Sequence, residues 1–280
     1  MTDRNFIKPD YQTEEETKAG NYFVSNYPPF SFWNDNDVPC VSSLVSSPSP
    51  GTAPLGLYYH VPFCRKRCHF CYFKVYTDKN SGDVRRYLSA TMNELKVYAE
   101  SSYFKGRKPK FVYFGGGTPS YLSAQQLTEL TDQMKSILSW EEAEEVTFEC
   151  EPGTLSEKKL ETIKGFGVTR LSLGVENFND HILETNGRAH RSKEVFRAYE
   201  FARGLGFDNI NIDLISGMLE ETDENWSDSV DQVIELSPDC VTIYQMEVPF
   251  NTGIFKKMKE EGKLNAPVAD WPTKRRWVKE

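Results

Sequence analysis

The amino-acid sequence predicts an α/β fold built on a parallel sheet, and two observations lead there. Between residues 55 and 247, six strand-like segments alternate with five helix-like ones, and such βαβ alternation implies right-handed crossovers with helices outside the sheet. The chain has 280 residues, 39% hydrophobic and 26% charged, enough for a sizeable core in an ordinary globular protein.

The elements follow in order. Residues 1–54 read as an N-terminal extension, polar with aromatic interruptions at Tyr22, Phe23, Tyr27, Phe30, Phe32 and Trp33, ending in the linker SSPSPGTAP. The aromatics are expected to dock this arm on the main domain or to cover a site. LGLYYHVPF (55–63) is the first strand. Val84 to Glu100 is a helix, with Val84, Leu88, Met92, Leu95 and Ala99 on one face. PKFVYFGG (109–116) is a strand and Ser123–Leu138 a helix. EVTFECEP (145–152) is a strand, and Ser156–Lys164 a short helix closed by Gly165 as its C′ residue. TRLSLGVEN (169–177) is a strand, and Ser192–Leu205 a helix followed by Gly206. NINIDLISG (209–217), Glu224–Leu236 and CVTIYQME (240–247) complete the alternation. It suits a partial barrel or a doubly wound sheet, and both place their chemistry at the carboxyl ends of the strands. Residues 251–280 start a C-terminal region. Its helix opens at Asp270-Trp-Pro-Thr and runs to Glu280 without a cap, so the sequence reads as lacking a further C-terminal part.

Charge narrows the function classes. Lys and Arg number 33 against 41 Asp and Glu, a net charge of −8, which argues against a generic nucleic-acid binder. No apolar run exceeds four residues, far short of the roughly 20 of a spanning helix. The N-terminus carries no signal-like stretch, so a cytoplasmic protein is expected. In a reducing compartment, clustered thiols read as metal ligands or catalytic groups.

Three of the six cysteines cluster directly after the first strand, as Cys64-Arg-Lys-Arg-Cys68-His-Phe-Cys71. Three thiolates on one loop suit an iron–sulfur cube with one iron left open for chemistry. Arg65, Lys66 and Arg67 are expected to lower the thiol pKa values. The alternative is zinc, with His69 or His60 as fourth ligand. Glycines at 115–117 follow a strand, where backbone approaches a ligand closely. Glu149, Glu176 and Asp213 lie near the ends of predicted strands, facing the ligand side of a barrel. Cys150 and Cys240, inside predicted strands, read as small buried hydrophobes. His60 reads as structural; His181 and His190 are given no role.

LYYHVPFCRKRCHFCYF resembles the cluster loop of radical S-adenosylmethionine enzymes. FGGGTPS (114–120), FECEPGT (148–154), RLSLGVENF (170–178), NGRAH (186–190) and INIDLISG (210–217) follow in the order and spacing of the oxygen-independent coproporphyrinogen III oxidase-like branch, which includes haem chaperones. The resemblance covers about residues 55–250. It implies a partial (β/α)6 parallel barrel of radical SAM type over 55–250, with the N-terminal extension and a truncated C-terminal region beside it. It implies a [4Fe–4S] cluster on Cys64, Cys68 and Cys71, and S-adenosylmethionine in a pocket lined by Tyr58, Phe70, Gly116, Gly117, Thr118, Glu149, Glu176, Arg188 and Asp213. Arg188 would pair with the methionyl carboxylate. Reductive cleavage to a 5′-deoxyadenosyl radical would need an electron donor such as flavodoxin or ferredoxin. The substrate implied is a porphyrinogen or haem. The first reading is oxidative decarboxylation of coproporphyrinogen III propionates; the second is a haem chaperone that keeps the cluster, or a radical enzyme with another substrate. A reading from a different class is a zinc-stabilised α/β binding protein. The sequence departs from the branch at two positions. Phe73 stands where the decarboxylating pattern has a further cysteine and the chaperone pattern does not, and Glu176 replaces the branch's glutamine.

Overall fold

The computed structural model describes residues 32–49, 51 and 53–280. Its centre is a six-stranded parallel sheet of β1 (Leu55–Val61), β2 (Pro109–Gly116), β3 (Glu145–Cys150), β4 (Arg170–Glu176), β5 (Asn209–Ser216) and β6 (Cys240–Gln245). The strands lie in sequence order. A doubly wound sheet reverses its order at a switch point, and this one does not. The sheet is open, with no pairing of β6 to β1, and so forms the partial barrel that the resemblance implied.

Around it, among the described residues, lie α1 (Val38–Ser46), α2 (Ser81–Glu100), α3 (Ala124–Ile137), α4 (Glu157–Gly165), α5 (Asp180–Thr185), α6 (Ser192–Gly204), α7 (Asp223–Leu236), α8 (Gly253–Glu260) and α9 (Trp271–Lys279). Local chemistry sets their starts. Asn80 and Ser123 close capping boxes with Asp83 and Gln126 at α2 and α3, and Thr222 accepts from the Asn225 amide at α7. Leu127, Leu130 and Met134 of α3, Leu160 and Ile163 of α4, and Val195, Ala198 and Ala202 of α6 bury one face of each helix. They pack on Val112, Phe114, Phe148, Leu171, Leu173, Ile210 and Ile212 of the sheet.

Several expectations need correcting. Gly165 belongs to α4, and Gly167 takes the left-handed backbone after it (φ 97°). Helices α1, α5 and α8 occupy stretches that the periodicity left without helix. Phe32 and Trp33 are largely exposed; Tyr22, Phe23, Tyr27 and Phe30 lie outside the described residues. Cys150 is buried, but Cys240 is exposed, because β6 is an edge strand. No helix among the described residues is long and apolar enough to cross a membrane.

Candidate functional site

The carboxyl ends of the strands surround a cavity of about 740 Å³. It is lined by all three clustered cysteines and by Phe70, Gly116, Gly117, Thr118, Glu149, Glu176, Arg188 and Asp213. Tyr58 does not line it. That side chain is half-exposed on β1, its ring stacked 6.0 Å from Tyr113 and its hydroxyl 3.0 Å from His60 Nδ1. Its stacking partner Tyr113 in turn donates its hydroxyl to Glu149 Oε1, on the cavity wall, at 2.6 Å.

The cysteine loop follows β1 and is tied down at several points. The Cys64 amide donates to Tyr76 O, and the His69 amide to Asn186 O. Thr118 Oγ1 donates to Cys64 Sγ at 3.3 Å, and Arg188 Nη1 to Cys68 Sγ at 3.3 Å. The glycine run is shaped by this packing. Gly116 has φ 116°, and a Cβ there would sit 2.6 Å from His60 Cε1; one at Gly117 would sit 2.9 Å from Cys64 Sγ. Only glycine meets both demands, and the close approach is to the cysteine loop and its neighbour His60.

Arg65 does not act on the thiols as expected. It forms a two-pronged ion pair with Glu151, Nη2 to Oε1 at 2.8 Å and Nε to Oε2 at 3.1 Å. Arg67 donates to Cys71 O. Burial pushes the Cys71 thiol up to about 11 and raises Cys64 as well. Burial thus favours the protonated form of Cys64 and Cys71, and both must lose a proton to ligate.

Glu151 and His190 belong to this network, and sequence reasoning missed both. His190 is fully buried; its Nε2 donates to Val175 O, and its Nδ1 lies 3.4 Å from Glu151 Oε1. Burial works to raise the Glu151 carboxyl, but the contacts from His190, Arg65 and Arg188 overcome it and hold the group at about 2.

Glu149, Glu176 and Asp213 face the same space, together with Glu151 and Glu247. Glu176 ends β4 in left-handed backbone (φ 68°) beside a register shift between β4 and β5. Left-handed backbone at a non-glycine residue is strained, a feature that clusters at functional sites. Burial raises the Glu176 carboxyl to about 7 against the pull of Arg188, with Asp213 and Glu149 adding to the rise. Burial also raises Glu149, opposed by Tyr113, and Asp213, opposed by the hydrogen bonds of Ser172 and Asn211. Such an acidic wall, with Arg188 on it, suits a ligand carrying both ammonium and carboxylate groups.

Apolar side chains also line the cavity, beside Gln245 and Glu247. Tyr72 and Phe73 stack at 4.4 Å, and Ile243, Tyr244, Met246, Trp271 and Val278 face the same space, with Lys66 and Arg67 among the lining residues. Residues 241–246 and 271–278 carried no signal for this role.

The donor set fits an iron–sulfur cluster. Three soft thiols share one cavity, two of them hydrogen-bonded at sulfur, and Arg188 Nε is buried with no partner. A closed zinc site would need a fourth ligand, and neither His69 nor His60 lines the cavity that holds the cysteines.

Comparison with known proteins agrees. Heme chaperone HemW of Bacillus subtilis (strain 168) is 36% identical over 213 residues, 75% of this chain and 55% of its own length. Oxygen-independent coproporphyrinogen III oxidase of Escherichia coli (strain K12) is 31% identical over 191 residues, 68% of this chain and 41% of its own length. The solved structure of coproporphyrinogen III oxidase (HemN) from Escherichia coli superposes with a TM-score of 0.77 at 25% identity, covering 92% of this chain and 58% of that one. The chain thus spans about half the length of the curated relatives it matches. The model of the Radical SAM superfamily matches residues 58–233, from β1 into α7. The chain belongs to the radical SAM superfamily, in the branch of HemW and HemN, whose members bind a [4Fe–4S] cluster and S-adenosylmethionine.

Proposed function

We propose that this chain is the radical SAM core of a haem chaperone-like protein, in preference to a coproporphyrinogen oxidase. The observation that carries this reading is Phe73. It stacks on Tyr72 at the cavity wall, where the decarboxylating pattern has a further thiol. The higher identity to HemW than to the oxidase, 36% against 31%, points the same way.

Cys64, Cys68 and Cys71 would hold the cluster. Glu149, Glu176, Arg188 and Asp213, with Gly116, Gly117, Thr118 and Phe70, would hold S-adenosylmethionine. When bound, the reduced cluster and this cofactor supply a 5′-deoxyadenosyl radical. The chain's own part is positional. Gly116 and Gly117 keep the floor open, Thr118 and Arg188 donate to the ligand sulfurs, and the acidic wall receives cationic groups. The aromatic and aliphatic wall suits a flat apolar macrocycle, and Lys66 and Arg67 suit its propionates.

The test is cluster reconstitution without oxygen, followed by iron analysis and S-adenosylmethionine binding. Unaltered protein should hold about four irons. Cys68→Ala should lose the cluster and all cofactor cleavage; cleavage by this variant would contradict the assignment. Asp213→Ala should keep the cluster but weaken cofactor binding about tenfold or more. Unchanged affinity would remove Asp213 from the pocket.

A further inference from the structure

We propose that Arg188 raises the reduction potential of the cluster by donating a hydrogen bond to the sulfur of Cys68. This rests on the reading that Cys64, Cys68 and Cys71 hold a [4Fe–4S] cluster.

The observation is how the guanidinium is spent. Arg188 follows α5, at a turn where Gly187 takes φ 79° against the His69 ring and the Arg188 amide donates to Leu183 O at 2.9 Å. Its side chain is only 10% exposed. Nη2 donates to Gly174 O of β4 at 2.6 Å, and Nη1 to Cys68 Sγ at 3.3 Å. Glu176 Oε1 lies 3.6 Å from Nη1, and His190 Nδ1 lies 3.5 Å from Nη2. Both terminal nitrogens are therefore committed to the protein, and only Nε is without a partner. Besides the contact it would make with a bound cofactor, an arginine held this way is a fixed donor aimed at the sulfur of a cluster ligand.

Two effects of this arrangement share a sign. A hydrogen bond to a cluster sulfur stabilises the added negative charge of the reduced state, and so does a positive charge held in a water-poor site. Both favour reduction. Glu176 opposes them in part, and the β4 carbonyl at Gly174 keeps the guanidinium on the sulfur side. Arg188 is thus a positioning and tuning residue for the electron that enters the cluster.

The test is an anaerobic redox titration of the reconstituted cluster, followed by EPR of the reduced state, in unaltered protein, Arg188→Met and Arg188→Lys. In Arg188→Met the reduction equilibrium should fall at least tenfold, about 59 mV lower for one electron. Arg188→Lys keeps the charge without the planar fork and should fall less. An Arg188→Met cluster of full iron content and unchanged midpoint would overturn the proposal, because a merely structural arginine would alter loading and not potential. If neither variant loads a cluster, the same bond is read in unaltered protein labelled with 15N-arginine. Pulsed EPR should then show a guanidinium nitrogen coupled to the reduced cluster, and absence of that coupling would overturn the proposal. An unaltered protein that takes up no cluster would overturn the underlying reading, and this proposal with it.

Discussion

Two kinds of residue make the site, and they differ in how visible they are along the chain. Cys64, Cys68 and Cys71 sit within eight residues, so their common purpose is a local pattern. Glu149, Glu176 and Asp213 are also legible, because a strand's end is predictable and its carboxylates point to one side. Arg65, Glu151 and His190 are not: Arg65 and Glu151 are 86 residues apart, and only the folded sheet brings them together. The effect of this pairing is measurable. Glu151 has a folded-state pKa held at about 2 against an ordinary 4.5. A depressed carboxylate contributes stability that is present above pH 4.5 and lost as pH falls from there through 2. Because Arg65 is over a third exposed, we discount the full shift and expect Glu151→Gln to cost about 2 kcal/mol at pH 7. Urea unfolding of the cluster-free protein should show this loss, together with a flatter acid limb. Equal stability of the two proteins at pH 7 would mean that the ion pair contributes nothing.

At the scale of elements, the alternation of strand and helix was legible because each strand carries a short apolar run and each helix a periodic one. The helices α1, α5 and α8 are six to nine residues long, where periodicity alone is a weak signal; the equally short α4 and α9 were marked by Gly165 and by Asp270-Trp-Pro. The exposure of β6 was hidden for another reason. Its residues Cys-Val-Thr-Ile-Tyr-Gln read as an interior strand, and only the sheet order makes it an edge. In native, cluster-free protein, Cys240 should therefore react with iodoacetamide at least tenfold faster than the buried Cys150, read by peptide mass spectrometry; equal rates would contradict the edge assignment. The glycines allow a matched pair of substitutions. Gly116→Ala forces a Cβ against His60 in left-handed backbone and should cost about 2–3 kcal/mol. Gly165→Ala meets nothing within 4 Å at the end of α4 and should be neutral or stabilise by about 0.5–1 kcal/mol. Thermal unfolding distinguishes them, and similar melting temperatures would remove the steric account of the glycine run.

For the whole molecule, the open sheet is the organising fact. Parallel strands in sequence order bring their carboxyl ends to one side. There the cysteine loop after β1 meets the carboxylates of β3, β4 and β5 and the apolar wall of β6 and α9. The fold class and the gathering of Cys64, Cys68 and Cys71 at one cavity were legible in the sequence; the apolar wall was not, because Trp271 and Val278 reach the cavity from a helix far along the chain. That wall, with Phe73 on it, separates the two readings of the branch. The most direct test is anaerobic incubation of the reconstituted protein with dithionite and S-adenosylmethionine, once with coproporphyrinogen III and once with haem, followed by mass spectrometry and a haem titration. We predict saturable haem binding and no loss of carboxyl groups from coproporphyrinogen III. Decarboxylated porphyrinogen, formed together with 5′-deoxyadenosine, would contradict the chaperone-like reading and make the chain an oxidase.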